Sequence, residues 1–107
     1  MRTRFSDGLR SLGLCAVLVA PAAWAAPPEQ LARDAGCMSC HATAEKVVGP
    51  AFKSIAEKYR GQADAADRLT QSVRNGSRGT WGRIPMPPNG SVAEADARQL
   101  VTWILSH

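Results

Sequence analysis

Aromatic side chains are scarce in this chain of 107 residues, and from residue 26 onward only Phe52, Tyr59, Trp81 and Trp103 remain. Four rings are little material for a core. A domain of this size buries a modest share of its surface and commonly needs a disulfide, a metal or a cofactor as a staple. Cysteine is scarce as well, with Cys15, Cys37 and Cys40 the whole supply. The absence of a second cysteine pair excludes the usual structural zinc site. The absence of strand-like alternation removes the βαβ context of a thioredoxin-like redox pair. No apolar run is long enough for a confident membrane span, and there are no repeats, low-complexity tracts or internal linkers.

The first 25 residues read as a separate unit. Arg2, Arg4 and Arg10 precede a short apolar run that ends in Ala23-Trp24-Ala25, the order of a cleavable secretory signal. An uncleaved anchor is the alternative. Cys15 follows the bulky Leu14, which suits a filler of the apolar run and not a lipid-attachment cysteine. The expected organisation is a signal peptide over 1–25 and one domain over 26–107. That domain has ten basic and eight acidic residues, a net charge of +2. So mild a balance gives no ground for nucleic-acid binding.

Apolar spacing and turn residues predict an all-α domain of four to five short helices. Pro27 and Pro28 suit a first helical turn, with Glu29 at the positive end of the dipole and Cys37 near the helix end. Phe52, Ile55, Ala56 and Tyr59 recur at i, i+3, i+4 and i+7, and Gly61 follows as a stop. Leu69 and Val73 mark a third helix that ends at Gly76. Ala97, Leu100, Val101 and Ile104 form the stripe of the last helix, and Ser91 with Glu94 has capping-box spacing before it. Between the last two helices lies a long Gly/Pro loop. Its Trp81, Ile84 and Met86 are apolar groups expected to seek burial, which argues for a built loop with a function.

The chemistry is carried by "GCMSCHA". Cys37, Cys40 and His41 stand at i, i+3 and i+4, and on a helix that spacing puts all three on one face. Two thiols can then add across the two vinyl groups of a haem while the imidazole points at its iron, which is why C-x-x-C-H reads as c-type haem attachment. A covalently held porphyrin also supplies the missing core. The opposite face of the iron needs a ligand. Met38 lies inside the C-x-x-C, which leaves Met86 and, for a bis-histidine site, the terminal His107. Met86 sits among Pro85, Pro87 and Pro88, whose fixed φ and missing donors make a stiff loop. A gap-filling core methionine would not need that cage. The expected site is Cys37, Cys40, His41 and Met86 around one haem c, with His41 and Met86 on the metal.

"VVGPAFKSIAEKYRGQ", "RNGSRGTWGRIPMPPN" and "LVTWILS", together with "GCMSCHA", resemble the small bacterial class I cytochromes c, nearest the cytochrome c-551 group, over essentially the whole of 26–107. The resemblance implies that Pro50 offers its carbonyl to the His41 Nδ1–H. It implies that Trp81 reaches a haem propionate, where the plain alternative is a loop anchor. It implies that Asn89 steadies the methionine sulfur, where the alternative is turn chemistry. Three positions depart from the pattern. Arg83 replaces a proline, Ser72 an arginine directed at the propionates, and Ala32 a larger apolar residue of the first helix. The stretch before the last helix is also one residue longer.

The implied function is one-electron transport in the periplasm by a monomer with no stable membrane insertion and no enzymatic activity. The implied partners are a bc-type complex as donor and a terminal oxidase or nitrite reductase as acceptor. A permanently docked electron-entry subunit of a larger redox enzyme is the alternative, followed by a haem sensor or peroxidase-like protein in which Met86 leaves the iron.

Overall fold

A computed structural model describes residues 13–21 and 26–107 of the chain. Residues 13–21 have no regular structure and leave Leu14, Val17, Leu18 and Val19 at least 82% exposed. Most of the expected signal segment lies outside the described residues.

Among the described residues there are four α-helices and no β-sheet: α1 (Pro28–Asp34), α2 (Phe52–Tyr59), α3 (Ala65–Asn75) and α4 (Glu94–Leu105). α1 has Pro28 in its first turn and a Glu29–Arg33 pair at 2.9 Å. Seven residues are too few for a stable isolated helix. It is held by Ala32, which is fully buried, and by its packing against α4. The small side chain there allows close approach. α2 buries the four apolar residues its periodicity singled out, each worth roughly 1.5–3 kcal/mol where large and fully enclosed. α2 and α3 stop as their glycines predict, with Gly61 and Gly76 at φ values of +78° and +84°.

α4 packs against each of the other three helices. It divides the core into two clusters. Phe52, Ile55, Tyr59, Ala65 and Ile104 form one, and Val73, Ala97 and Val101 form the other.

Three local expectations change. The C-x-x-C-H stretch does not continue α1, because Gly36 turns the chain at φ +79° and Cys37–Ser39 form a separate 3-10 turn. The expected capping box is not made: α4 begins at Glu94 after Ala93 with no side-chain cap, and the Ser91 hydroxyl donates to Asn89 Oδ1 at 3.2 Å instead. Of the three apolar residues in the long loop only Met86 is half-buried, whereas Trp81 is 38% and Ile84 68% exposed. Both residues nonetheless line the cavity described below, so their apolar surface faces a space and not the packed core.

Candidate functional site

Both core clusters border one cavity, partly open to solvent. Its wall brings together all four residues expected to form the site, Cys37, Cys40, His41 and Met86. Apolar side chains from α2, α3 and α4 make up much of the rest, among them Phe52, Ile55, Val73, Leu100 and Val101.

The 3-10 turn still gathers the motif, through the Cys40 and His41 amides that both donate to the Cys37 carbonyl, at 3.2 and 2.9 Å. Cys37 and Cys40 are free thiols, each part-buried. Burial pushes the Cys37 thiol above its ordinary pKa, against the opposing pull of a backbone hydrogen bond.

His41 is fixed from three sides. Its Nδ1–H donates to the Pro50 carbonyl at 2.7 Å, which leaves Nε2 as the nitrogen with a free lone pair. Its ring stacks on Phe52, centroids 5.4 Å apart and planes 20° from parallel. Gly49 closes the third side, since a Cβ at residue 49 would stand 2.7 Å from His41 Cε1. A bare glycine backbone is therefore what allows this ring orientation.

Met86 belongs to the other half of the core, packed against the cluster of Val73, Ala97 and Val101. Its backbone pairs twice with Ser77, with N–H···O distances of 2.9 and 3.0 Å. This antiparallel bridge folds the loop back on the end of α3. Asn89 holds the far side of the loop. Its backbone amide donates to the Val73 carbonyl at 3.0 Å and its side-chain amide to the Ala35 carbonyl at 2.9 Å. The side chain thus reaches the C-terminal end of α1 and not the methionine sulfur. Trp81 lines the cavity at its exposed rim with the Lys58 ammonium 5.3 Å from its ring centroid. Ser72 also lines the cavity, and its hydroxyl is engaged by the Arg68 carbonyl at 3.1 Å.

The rival ligands are elsewhere. His107 lies outside the cavity wall, with its ring edge-on to Trp103 at 4.7 Å and its Nδ1 on the Trp103 and Ile104 carbonyls. Met38 is 40% exposed and outside that wall too. Among the described residues no three His, Cys, Asp or Glu side chains converge as a self-contained metal site. The donor set fits a c-type haem: two adjacent free thiols, an imidazole with its distal nitrogen free, a thioether from the opposite core cluster, and an apolar enclosure.

The cytochrome c family profile matches residues 25–107. The chain is 49% identical to cytochrome c-551 of Pseudomonas aeruginosa over 98 residues, covering 92% of this chain and 93% of that protein. It is 46% identical to cytochrome c-552 of Nitrosomonas europaea over the same length, with the same coverage of each. The crystal structure of wild-type Nitrosomonas europaea cytochrome c552 superposes with a TM-score of 0.72 at 50% identity, over 73% of this chain and 96% of that one.

Proposed function

This chain belongs to the cytochrome c family, and we propose that it is a periplasmic electron carrier in which His41 and Met86 are the axial ligands of its haem. The family carries the coarser part: the protein is an electron carrier, not an enzyme, and holds one covalently bound haem c. The finer part rests on a single observation. His41, stacked on Phe52 of one core cluster, and Met86, packed against the other, line one cavity, the first held by the Pro50 carbonyl and the second on a backbone bridged to Ser77.

Cys37 and Cys40 would hold the haem through two thioethers. Bound there, haem supplies a one-electron iron couple. The remaining work belongs to the chain. The Pro50 carbonyl holds the His41 tautomer and strengthens the imidazole as a donor. The Ser77 bridge and Asn89 hold the methionine loop in place, so little ordering is left to oppose a weak thioether bond. His/Met ligation raises the potential of a c-type centre. The apolar wall excludes water, and a stiff, dry surround keeps reorganisation small when charge changes. Val48, Trp81 and Ile84 line the cavity and are also exposed at its mouth, where an electron can enter or leave without opening the fold.

The domain that performs this is residues 26–107, after loss of 1–25. The exposure of Leu14, Val17, Leu18 and Val19 supports a segment that contributes nothing to the folded core. Free diffusion as a monomer fits brief exchange with a bc-type donor and an oxidase or nitrite-reductase acceptor. Mass analysis of the exported protein should give a chain starting at Ala26 plus one haem, eluting as a monomer on gel filtration. A chain that retains its first 25 residues in the membrane fraction contradicts the soluble-carrier assignment.

A further inference from the structure

The tripeptide Asn-Gly-Ser occurs twice in this chain, at 75–77 and at 89–91, and the fold treats the two copies differently. An asparagine followed by glycine can lose its side-chain amide without an enzyme. The glycine backbone nitrogen attacks the asparagine Cγ, unhindered by a side chain of its own. The Cγ–Nδ2 bond breaks, and Nδ2 leaves as ammonia with the proton from that nitrogen. Water then opens the cyclic imide at one of its two carbonyls, giving aspartate or the isomer linked through its side chain. The rate depends on a free glycine nitrogen, on backbone freedom to approach Cγ, and on stabilisation of Oδ1 as it gathers negative charge.

At the first copy the nitrogen is engaged. Asn75 is the last residue of α3, and the Gly76 N–H donates to the Ser72 carbonyl at 2.9 Å. The Ser77 hydroxyl lies 3.5 Å from Thr80 Oγ1 and is not on the amide. At the second copy the Val92 N–H donates to the Asn89 carbonyl at 3.2 Å, which makes a turn with Gly90 and Ser91 at its centre. Such a turn makes no use of the N–H at its second position, and among the described residues the Gly90 N–H has no acceptor. The Ser91 hydroxyl donates to Asn89 Oδ1 at 3.2 Å, a long bond that tightens when its acceptor turns anionic. Gly90 and Ser91 are exposed, so water reaches them. Both asparagines give Nδ2 to an acceptor at 2.9 Å, Gln71 Oε1 for Asn75 and the Ala35 carbonyl for Asn89. That bond therefore does not separate the two.

We propose that Asn89 is a site of spontaneous deamidation that ages the folded protein, with Ser91 polarising its amide, while α3 protects Asn75. The product sets a carboxylate oxygen where Nδ2 had donated to the Ala35 carbonyl, so two acceptors face each other and the tie from the methionine loop to the turn before Cys37 is lost. The isomer also lengthens the backbone by one carbon between Pro88 and α4. None of this depends on which side chain binds the iron.

The test holds the haem-loaded protein at mildly alkaline pH, digests samples at intervals and reads the acid and iso-acid forms of both Asn-Gly peptides by mass spectrometry. Acid at residue 89 should form about tenfold faster than at residue 75, the factor set by freeing the Gly76 amide from its helix bond. In urea, where neither helix nor turn persists, the two rates should converge. G90A should nearly abolish the reaction at Asn89, and the fold admits it, because a Cβ there meets nothing closer than the Arg74 carbonyl oxygen at 3.9 Å. S91A should slow the reaction by roughly two- to tenfold, the worth of one hydrogen bond. N89D, which carries the product side chain, should unfold at lower urea than the natural protein. Equal rates at the two sites in the folded protein, faster loss at Asn75, or an unchanged rate in G90A overturns the assignment. A difference that persists in urea overturns the role of the fold, and an unchanged rate in S91A overturns the role of Ser91. An N89D protein as stable as the natural one overturns the link to ageing.

Discussion

The Asn89 side-chain amide donates to the Ala35 carbonyl across 54 residues of sequence, at 2.9 Å. It ties the methionine loop to the turn that leads into Cys37. Asn89→Ala removes the donor and leaves a part-buried carbonyl without its partner, a loss of about 1–3 kcal/mol. Urea unfolding of the holoprotein should show the lower midpoint. Because the bond positions the loop and not the sulfur itself, the visible spectrum of Asn89→Ala should stay close to that of the natural protein.

Gly49 and Gly76 are predicted to fail in different ways. A Cβ at residue 49 meets the His41 ring at 2.7 Å, whereas one at residue 76 meets the Met86 carbonyl oxygen at 2.8 Å. Residue 76 also sits at φ +84° and ψ 172°, a region essentially confined to glycine, where a side chain costs roughly 1–3 kcal/mol before any clash. Gly49→Ala should turn the imidazole, read as altered paramagnetic shifts of the haem methyl protons with methionine still bound. Gly76→Ala should loosen the methionine side, read as weakening of the sulfur–iron absorption band together with lower stability.

Leu100 is 1% exposed and lines the cavity. Leu100→Ala should cost about 2–5 kcal/mol in chemical denaturation. Leu100→Met, which conserves volume, should cost less than about 1.5 kcal/mol.

Loss of the cofactor should cost more than any of these substitutions. The large side chains that are fully buried are Phe52, Leu100 and Val101, with Thr70 beside them. Both core clusters end at the cavity, so neither closes without an occupant. A C37A/C40A chain made without haem attachment should show far-ultraviolet dichroism well below that of the holoprotein and no cooperative thermal transition. Native-like helicity in that chain would contradict the role of haem as core.

Much of this was legible in the sequence because it depends on local rules. Gly61 and Gly76 end their helices through φ alone, and Phe52, Ile55, Ala56 and Tyr59 show their face by spacing. The four expected site residues do meet in one cavity. What could not be read depends on distant partners. The Asn89–Ala35 bond and the Ser77–Met86 bridge join segments that leave no local pattern. The tight fit of Gly49 on His41 arises only once the chain has returned to that ring. Gly36 was a visible signal that α1 ends before Cys37, and the i, i+3, i+4 spacing masked it, since a 3-10 turn gathers the same three residues.

The central assignment is Met86 on the iron opposite His41, and the absorption spectrum of the oxidised protein tests it most directly. A weak sulfur-to-iron band near the red end of the visible spectrum is predicted, absent in Met86→Ala and unchanged in His107→Ala. The reduced natural protein should not take up carbon monoxide at neutral pH. No band in the natural protein, or a band that persists in Met86→Ala, would contradict the account.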